Sequence, residues 1–238
     1  MVETIKLRNA DFLLSGDIAA DNSKSHIYLT GRNGSKSCIY MVDLNDVKFK
    51  SQTLRSDTAN STNAKVFITV HGVISGLALS LSKKELFTII GNELHGLKLA
   101  DGGPNFHCAM KYPNMKVLAI DDTKQCLYLA GYNGELLVKV DIKTGEQEVI
   151  SVGNKTVNIR AASVDPKGNL IAVHSNTRFK ILSSTNYSEI ADLAGGVESD
   201  ICLKGIAFYN PASGSGKDSK PIVALTDNLN NQINLMSL

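Results

Sequence analysis

The stretch KVLAIDDTKQCLYLAGYNGELLVKVDIKTGEQEVI (116–150) decides the fold. Short apolar or alternating runs, KVLAID, CLYLAGY, ELLVKVDI and EQEVI, are separated by the polar turns DDTKQ, GYNGE and IKTGE. Runs of about six residues, rich in Val, Ile, Tyr and Leu and bounded by Gly, Asn, Asp and Lys, are the signature of strands and tight turns. Helices would need longer runs with apolar positions three to four apart. The same texture extends outward in HIYLTGR (26–32), SCIYMVDL (37–44), ELFTIIG (85–91), NLIAVHS (169–175), RFKILSS (178–184) and PIVALTD (221–227). The sequence predicts an all-β protein.

The turns recur in two series. One follows the first strand of each repeat: DNSKS at 21, LSKKE at 81, DDTKQ at 121, DPKGN at 165 and NPASGSGKDSK at 210. The other follows the second strand: GRNGSK at 31, GNEL at 91, GYNGE at 131, HSNTR at 174 and TDNLNN at 226, with intervals of 60, 40, 43 and 52 residues. Counting on from 226 through the two termini back to 31 gives a further 43. The extra length of the first interval sits in SDTANSTNA (56–64), whose polar composition predicts a flexible surface loop; a second is predicted near 210–220. Four short strands per 40–50 residues is the period of a propeller blade, and five such repeats fill residues 1–238 as one domain. The last repeat ends at its third strand, QINLMSL (232–238), while the chain opens with a strand-like ETIKLRN (3–9). The expectation is that this N-terminal strand completes the last blade and hides an open edge. The rival expectation is a piece of a longer propeller, or one completed by another chain.

The repeats resemble degenerate WD40 repeats. HGVISGLALS (71–80) is similar to the opening His and small, apolar strand, and VDPKGNLIAVHS (164–175) to the Ser-Pro-Asp-Gly turn and following strand. GYNGELLVKVDIKTGE (131–146) resembles the segment ending in Trp-Asp, with Val140-Asp141 in its place. Val42-Asp43, Lys98-Leu99, Leu182-Ser183 and Met236-Ser237 stand at the corresponding sites. The chain has no Trp, so the family's His–Ser–Trp–Asp hydrogen-bond network cannot be complete in any repeat, and stability must rest on apolar packing between sheets. Seven blades are usual in that family, so the resemblance is to an atypical, five-bladed member.

Composition narrows the function classes. Twenty-five basic and 23 acidic residues leave a net charge of +2, too little for a large phosphate footprint or for attraction to an anionic membrane. No apolar run approaches the roughly 20 residues of a membrane span. Neither does MVETIKLRNADFLLSGD hold an apolar stretch of signal-peptide length, so an intracellular setting, cytoplasmic or nuclear, is expected. Cys38, Cys108, Cys126 and Cys202 lie too far apart for a metal knuckle or disulfide scaffold, which fits a reducing compartment. The sequons at Asn33, Asn60, Asn154 and Asn186 are then chance features of an Asn-rich chain.

Motifs that suggest catalysis have simpler readings. GSGK (214–217) would need Gly at 211 and Ser or Thr at 218 to form a phosphate loop; Pro211 and Asp218 stand there. His26, His71, His95, His107 and His174 never pair at metal-ligand spacing on one element. The tightest set is His95 in a third strand with His107 and Cys108 in the fourth, short of a tetrahedral zinc site. Asp17, Asp21, Asp121, Asp122 and Asp165 fall at first-strand ends, where Asp favours turns by bonding backbone amides. A lactonase- or quinoprotein-like propeller, the alternative reading, would bind a metal or small molecule in its central channel. The first strands, GDIAA, SGLALS, KVLAID, IRAASVD and KGIAFY, are mainly small and apolar, and no Gly-x-Ser-x-Gly elbow is present. The expectation is therefore no enzyme, no cofactor and no metal, but a scaffold binding a protein partner or peptide. In a propeller of this strand order, the turns after second strands and the loops entering first strands share one rim. There the sequence places Arg32, His71, Asn92, Tyr112, Tyr132, Arg160, Arg178 and Asn228, and Arg and Tyr are residue types that dominate interface energetics. Nucleic acid would be engaged only indirectly.

Overall fold

The computed structural model describes residues 5–7, 12–21, 23–43, 60–62, 65–131, 136–150, 159–165, 167–173, 178–194, 203–209, 222–227 and 232–237. Every regular element among them is a β-strand. They divide into two compact units, Met1–Ala109 and Met110–Leu238, each considered by itself.

The first unit holds β1 (Ile5–Leu7), β2 (Phe12–Asp21), β3 (His26–Asn33), β4 (Lys36–Asp43), β5 (Asn60–Thr62), β6 (Lys65–Val70), β7 (Ile74–Ser80), β8 (Glu85–Ile90), β9 (Glu93–Lys98) and β10 (Pro104–Ala109). Two antiparallel meanders, β2-β3-β4-β6 and β7-β8-β9-β10, make up its bulk. The second unit repeats the pattern with β11 (Met115–Asp121), β12 (Cys126–Gly131), β13 (Leu137–Asp141) and β14 (Gln147–Ile150). It continues with β15 (Ala161–Val164), β16 (Leu170–Val173), β17 (Arg178–Leu182) and β18 (Glu189–Ala194), then β19 (Leu203–Tyr209), β20 (Ile222–Asp227) and β21 (Gln232–Ser237).

Burial explains the texture of the sequence. The second strands are covered on both faces: β16 is buried throughout, and β8 and β12 at every position but the last. A strand buried on both faces is selected for continuous apolar residues, which is why ELFTII and CLYLAG do not alternate. Fourth strands are mostly exposed, as in β10 and β6. Sheets pack face to face within each unit. Ala19, Tyr28 and Ile39 of one meander meet Ile74, Leu77, Leu86 and Leu97 of the next. In the second unit Cys126, Tyr128, Leu137 and Ile150 meet Ala162, Leu170, Ala172 and Leu182.

One cross-strand pair marks the repeat. An alanine of each first strand lies opposite the third residue of its second strand: Ala19–Tyr28, Ala78–Phe87, Ala119–Tyr128 and Ala162–Ala172. Turns repeat as well. Asp21, Asp121 and Asp165 each accept backbone N–H bonds through Oδ1, from Ser23 and Lys24, from Thr123 and Lys124, and from Lys167 and Asn169, at 2.8–3.2 Å. These are the turn-forming roles expected of first-strand aspartates. Turns between third and fourth strands share a second geometry. The amides of Gly102, Gly145 and Tyr187 donate to the carbonyls four residues earlier, of Lys98, Asp141 and Ser183, at 2.8–3.0 Å. All three residues have positive φ. Glycine adopts that conformation freely, and Tyr187 carries its strain while its hydroxyl reaches within 3.3 Å of the Tyr128 hydroxyl.

One expectation changes. The N-terminal strand β1 pairs in parallel with β5, Ile5 opposite Asn60 and Leu7 opposite Thr62. Its partner comes from within the segment read as a flexible loop. Asn60-Ser61-Thr62 is extended although only Thr62 of the three is a strand-favouring residue, so the pairing rests on the backbone bonds to β1. The segment 210–220 lies outside the described residues.

A candidate partner-binding rim

In the first unit, register places three of the expected residues at one end of the strands. Arg32 of β3 lies opposite Ser37 of β4, and Ser37 opposite Val70, the last residue of β6; His71 follows directly. In the neighbouring meander the Gly91 amide donates to the Val73 carbonyl (3.0 Å), holding the Gly91-Asn92 turn beside the chain that enters β7. Arg32, His71 and Asn92 are all exposed. Gly72 has φ +136, open to glycine alone, so the turn that presents His71 depends on it.

Sequence reasoning missed two further residues at this end. Lys36 opens β4 opposite Asn33, and Val73 is 52% exposed beside His71. Lys36 was visible in the GRNGSK turn. Val73 was not, because its apolar character reads as part of strand β7. Among the described residues, Arg32, Lys36 and His71 make no ion pair.

In the second unit, Arg160 enters β15 with its amide donating to the Val173 carbonyl (2.9 Å), and Arg178 opens β17 at the same end of that sheet. Arg178 is committed within its own sheet. Its Nε donates to Asp192 Oδ1 and its Nη2 to the Asp192 carbonyl, both at 2.9 Å, beside a Lys180–Glu189 pair at 2.7 Å. Tyr112 is half-buried in the bend before β11, where Gln147 Oε1 accepts the Lys111 amide (2.9 Å). Tyr132 and Asn228 lie outside the described residues.

The opposite strand ends hold the buried carboxylates in turn-forming roles. The Thr144 amide, chiefly, lowers the Asp141 pKa, aided by the Lys143 amide and by Lys139. Burial works against the charge of Asp21, yet bonds from Ser23 and Lys24 outweigh it and lower its pKa too. Burial also raises the Cys126 and Cys108 thiols, which keeps them protonated and unreactive. Among the described residues no group of three or more His, Cys, Asp or Glu side chains could hold a metal ion. Among them, too, no helix is long and apolar enough to cross a membrane.

No family model matches the chain, and no curated protein matches it. Solved structures do. One, the crystal structure of the nidogen/laminin complex, superimposes with a TM-score of 0.61 over 93% of this chain and 75% of that one, at 14% identity. That neighbour contains a β-propeller. In all, 1235 solved chains match, so the likeness defines an architecture rather than an activity.

Proposed function

We propose that the chain is a five-bladed, WD40-like β-propeller acting as a non-enzymatic interaction scaffold within an intracellular complex, its partner a protein or peptide held on the rim that carries Arg32, His71 and Asn92. The observation that carries this reading is the end of the first unit. Arg32, Lys36 and His71 stand at one end of the first meander, and the chain that follows His71 enters the next meander through the half-exposed Val73, whose carbonyl holds the Gly91-Asn92 turn. Cations without an ion pair among the described residues, next to an apolar side chain, suit a partner that supplies both a carboxylate and an apolar anchor. The alanine pairs and repeated turns support successive equivalent sheets, the arrangement a propeller requires. In the second unit, taken by itself, Arg178 acts as a positioning residue, since its guanidinium already serves Asp192.

The test is a pull-down from the cell that makes the protein, comparing wild type with an Arg32→Ala, His71→Ala double variant. Both side chains are exposed, so the variant keeps the wild-type unfolding temperature. Loss of the stoichiometric partner is the expected result, and retained binding would remove this rim from consideration.

A further inference from the structure

The hairpin turn between β3 and β4 carries a reactive dipeptide that the scaffold reading does not use. Asn33 ends β3 opposite Lys36, the last pair of the ladder, and Gly34-Ser35 forms the loop between them. Gly34 has φ +60 and Ser35 has no positive φ, the arrangement of a type II′ turn. Asn33 and Gly34 are both exposed, and a Cβ built on Gly34 would meet nothing within 4 Å. Among the described residues no hydrogen bond holds the Asn33 side chain or the Gly34 amide.

Other asparagines stand differently. Asn105 donates to Glu85, Asn169 donates to Asp165, and Asn186 Oδ1 accepts the Ser188 amide. Phe106, Leu170 and Tyr187 follow them, each with a side chain where Gly34 has none. Among the described asparagines only Asn33 precedes a glycine. We propose that Asn33-Gly34 is a site of spontaneous conversion of asparagine to aspartate and isoaspartate, which lowers the charge of the rim as the protein ages. The Gly34 nitrogen gives its proton to solvent and attacks Asn33 Cγ; ammonia leaves and a five-membered imide closes. Water then opens the ring, at Cγ to give aspartate or at the backbone carbonyl to give isoaspartate. One water is taken up and one ammonia released, with no oxidant or reductant. The bare backbone of glycine leaves its nitrogen open to close approach. The Asn33–Lys36 pair closes the ladder and frays first, which frees Asn33 to rotate towards that nitrogen. Arg32 and Lys36 on either side favour the anionic form that attacks. The product is a carboxylate between two cations of the rim, where it opposes an acidic partner. This last consequence rests on the rim reading; the conversion itself does not.

The experiment is to age the full chain in mildly alkaline buffer at physiological temperature and follow each asparagine by peptide-mapping mass spectrometry. Asn33 should gain the mass of amide-to-acid conversion before any other described asparagine, and the intact chain should elute earlier from a cation exchanger. Asn33→Gln, which would have to close a six-membered ring, should stay unconverted at that position; circular dichroism checks its fold. The binding probe is a fluorescent peptide of glutamates around one leucine. Asn33→Asp should weaken its binding about two- to fivefold, the effect of one exposed charge pair. An Asn33 that converts in guanidinium but stays intact in the folded chain would overturn the assignment. Binding unchanged by Asn33→Asp but weakened by Arg32→Ala, His71→Ala would overturn its effect on the rim. A probe that wild type ignores would count against the rim reading instead, while the mass measurement still decides the conversion.

Discussion

Gly96→Ala tests the packing of the second meander more severely than any large-to-small change. Gly96 faces Phe87 across β8 and β9, and a Cβ added to it would stand 2.9 Å from Glu85 Oε2, 2.9 Å from Phe87 Cε1 and 3.1 Å from Phe106 Cβ. Two of these neighbours have little room to move. Phe87 is fully buried, and Glu85 is 5% exposed with Oε1 taken by the Asn105 side-chain amide. Overpacking a filled core costs about 1–3 kcal/mol, and forcing Phe87 off its rotamer about 0.5–1.5 kcal/mol of that. Removing glycine from the unfolded chain returns about 0.4–1 kcal/mol. The net expectation is a loss of about 1–2 kcal/mol, read from guanidinium denaturation at unchanged m-value. Gly131→Ala is the control. Its added Cβ meets nothing nearer than 3.9 Å, so it should be neutral or slightly stabilising. In a Phe87→Leu background, where the ring edge is gone, the extra cost of Gly96→Ala should shrink by at least half. Equal stability of Gly96→Ala and Gly131→Ala would refute the packing described for β8, β9 and β10.

Further outcomes follow from the turns, the tyrosines and the ion pairs. Because the folded-state pKa of Asp141 is lowered, its stabilisation is complete above the unfolded value of about 3.9 and disappears as pH falls through the folded value. Asp141→Asn keeps a turn-forming oxygen that does not titrate, so its acid-unfolding curve should be shallower than that of wild type below about pH 4. Burial pushes the Tyr40 hydroxyl up to about 12, with Cys38 adding to it, and raises Tyr128 as well. Raised phenols stabilise the fold below the unfolded pKa of about 10 and cease to do so as pH rises through the folded value. Tyrosinate absorbance at 295 nm should therefore show a fraction that ionises only with unfolding above about pH 10, and Tyr128→Phe should diminish it. Arg178→Ala removes a surface pair whose arginine is 46% exposed, and denaturation should register a loss of about 1 kcal/mol or less.

The β character was legible because second strands are apolar runs too short for helices, and the turn spacing was legible because Asp and Gly are demanded by geometry. Asp121 and Asp165 cap turns through Oδ1, and Gly34 and Gly91 of the second turn series hold positive φ, so their recurrence is physical. A clearer signal lay unread in the same stretches. The alanine opposite Tyr28, Phe87 and Tyr128 recurs in IAADNSKSHIY, LALSLSKKELF and LAIDDTKQCLY, where a small residue makes room for an aromatic ring. Partner choice was less legible. The β1–β5 pairing joins segments more than 50 residues apart through three backbone positions each, and strand propensity carries no information about which edge a strand will join. Rim positions were read from phase alone. It gave no hint that Arg178 would be bound to Asp192, because that pairing depends on the register of β17 against β18.

The most direct test of the scaffold account is quantitative mass spectrometry of proteins co-purifying with the tagged chain, wild type against Arg32→Ala, His71→Ala. The account predicts a stoichiometric partner set with wild type that is lost in the variant at equal stability. A partner-free wild-type chain, or an unchanged partner set in the variant, would contradict it.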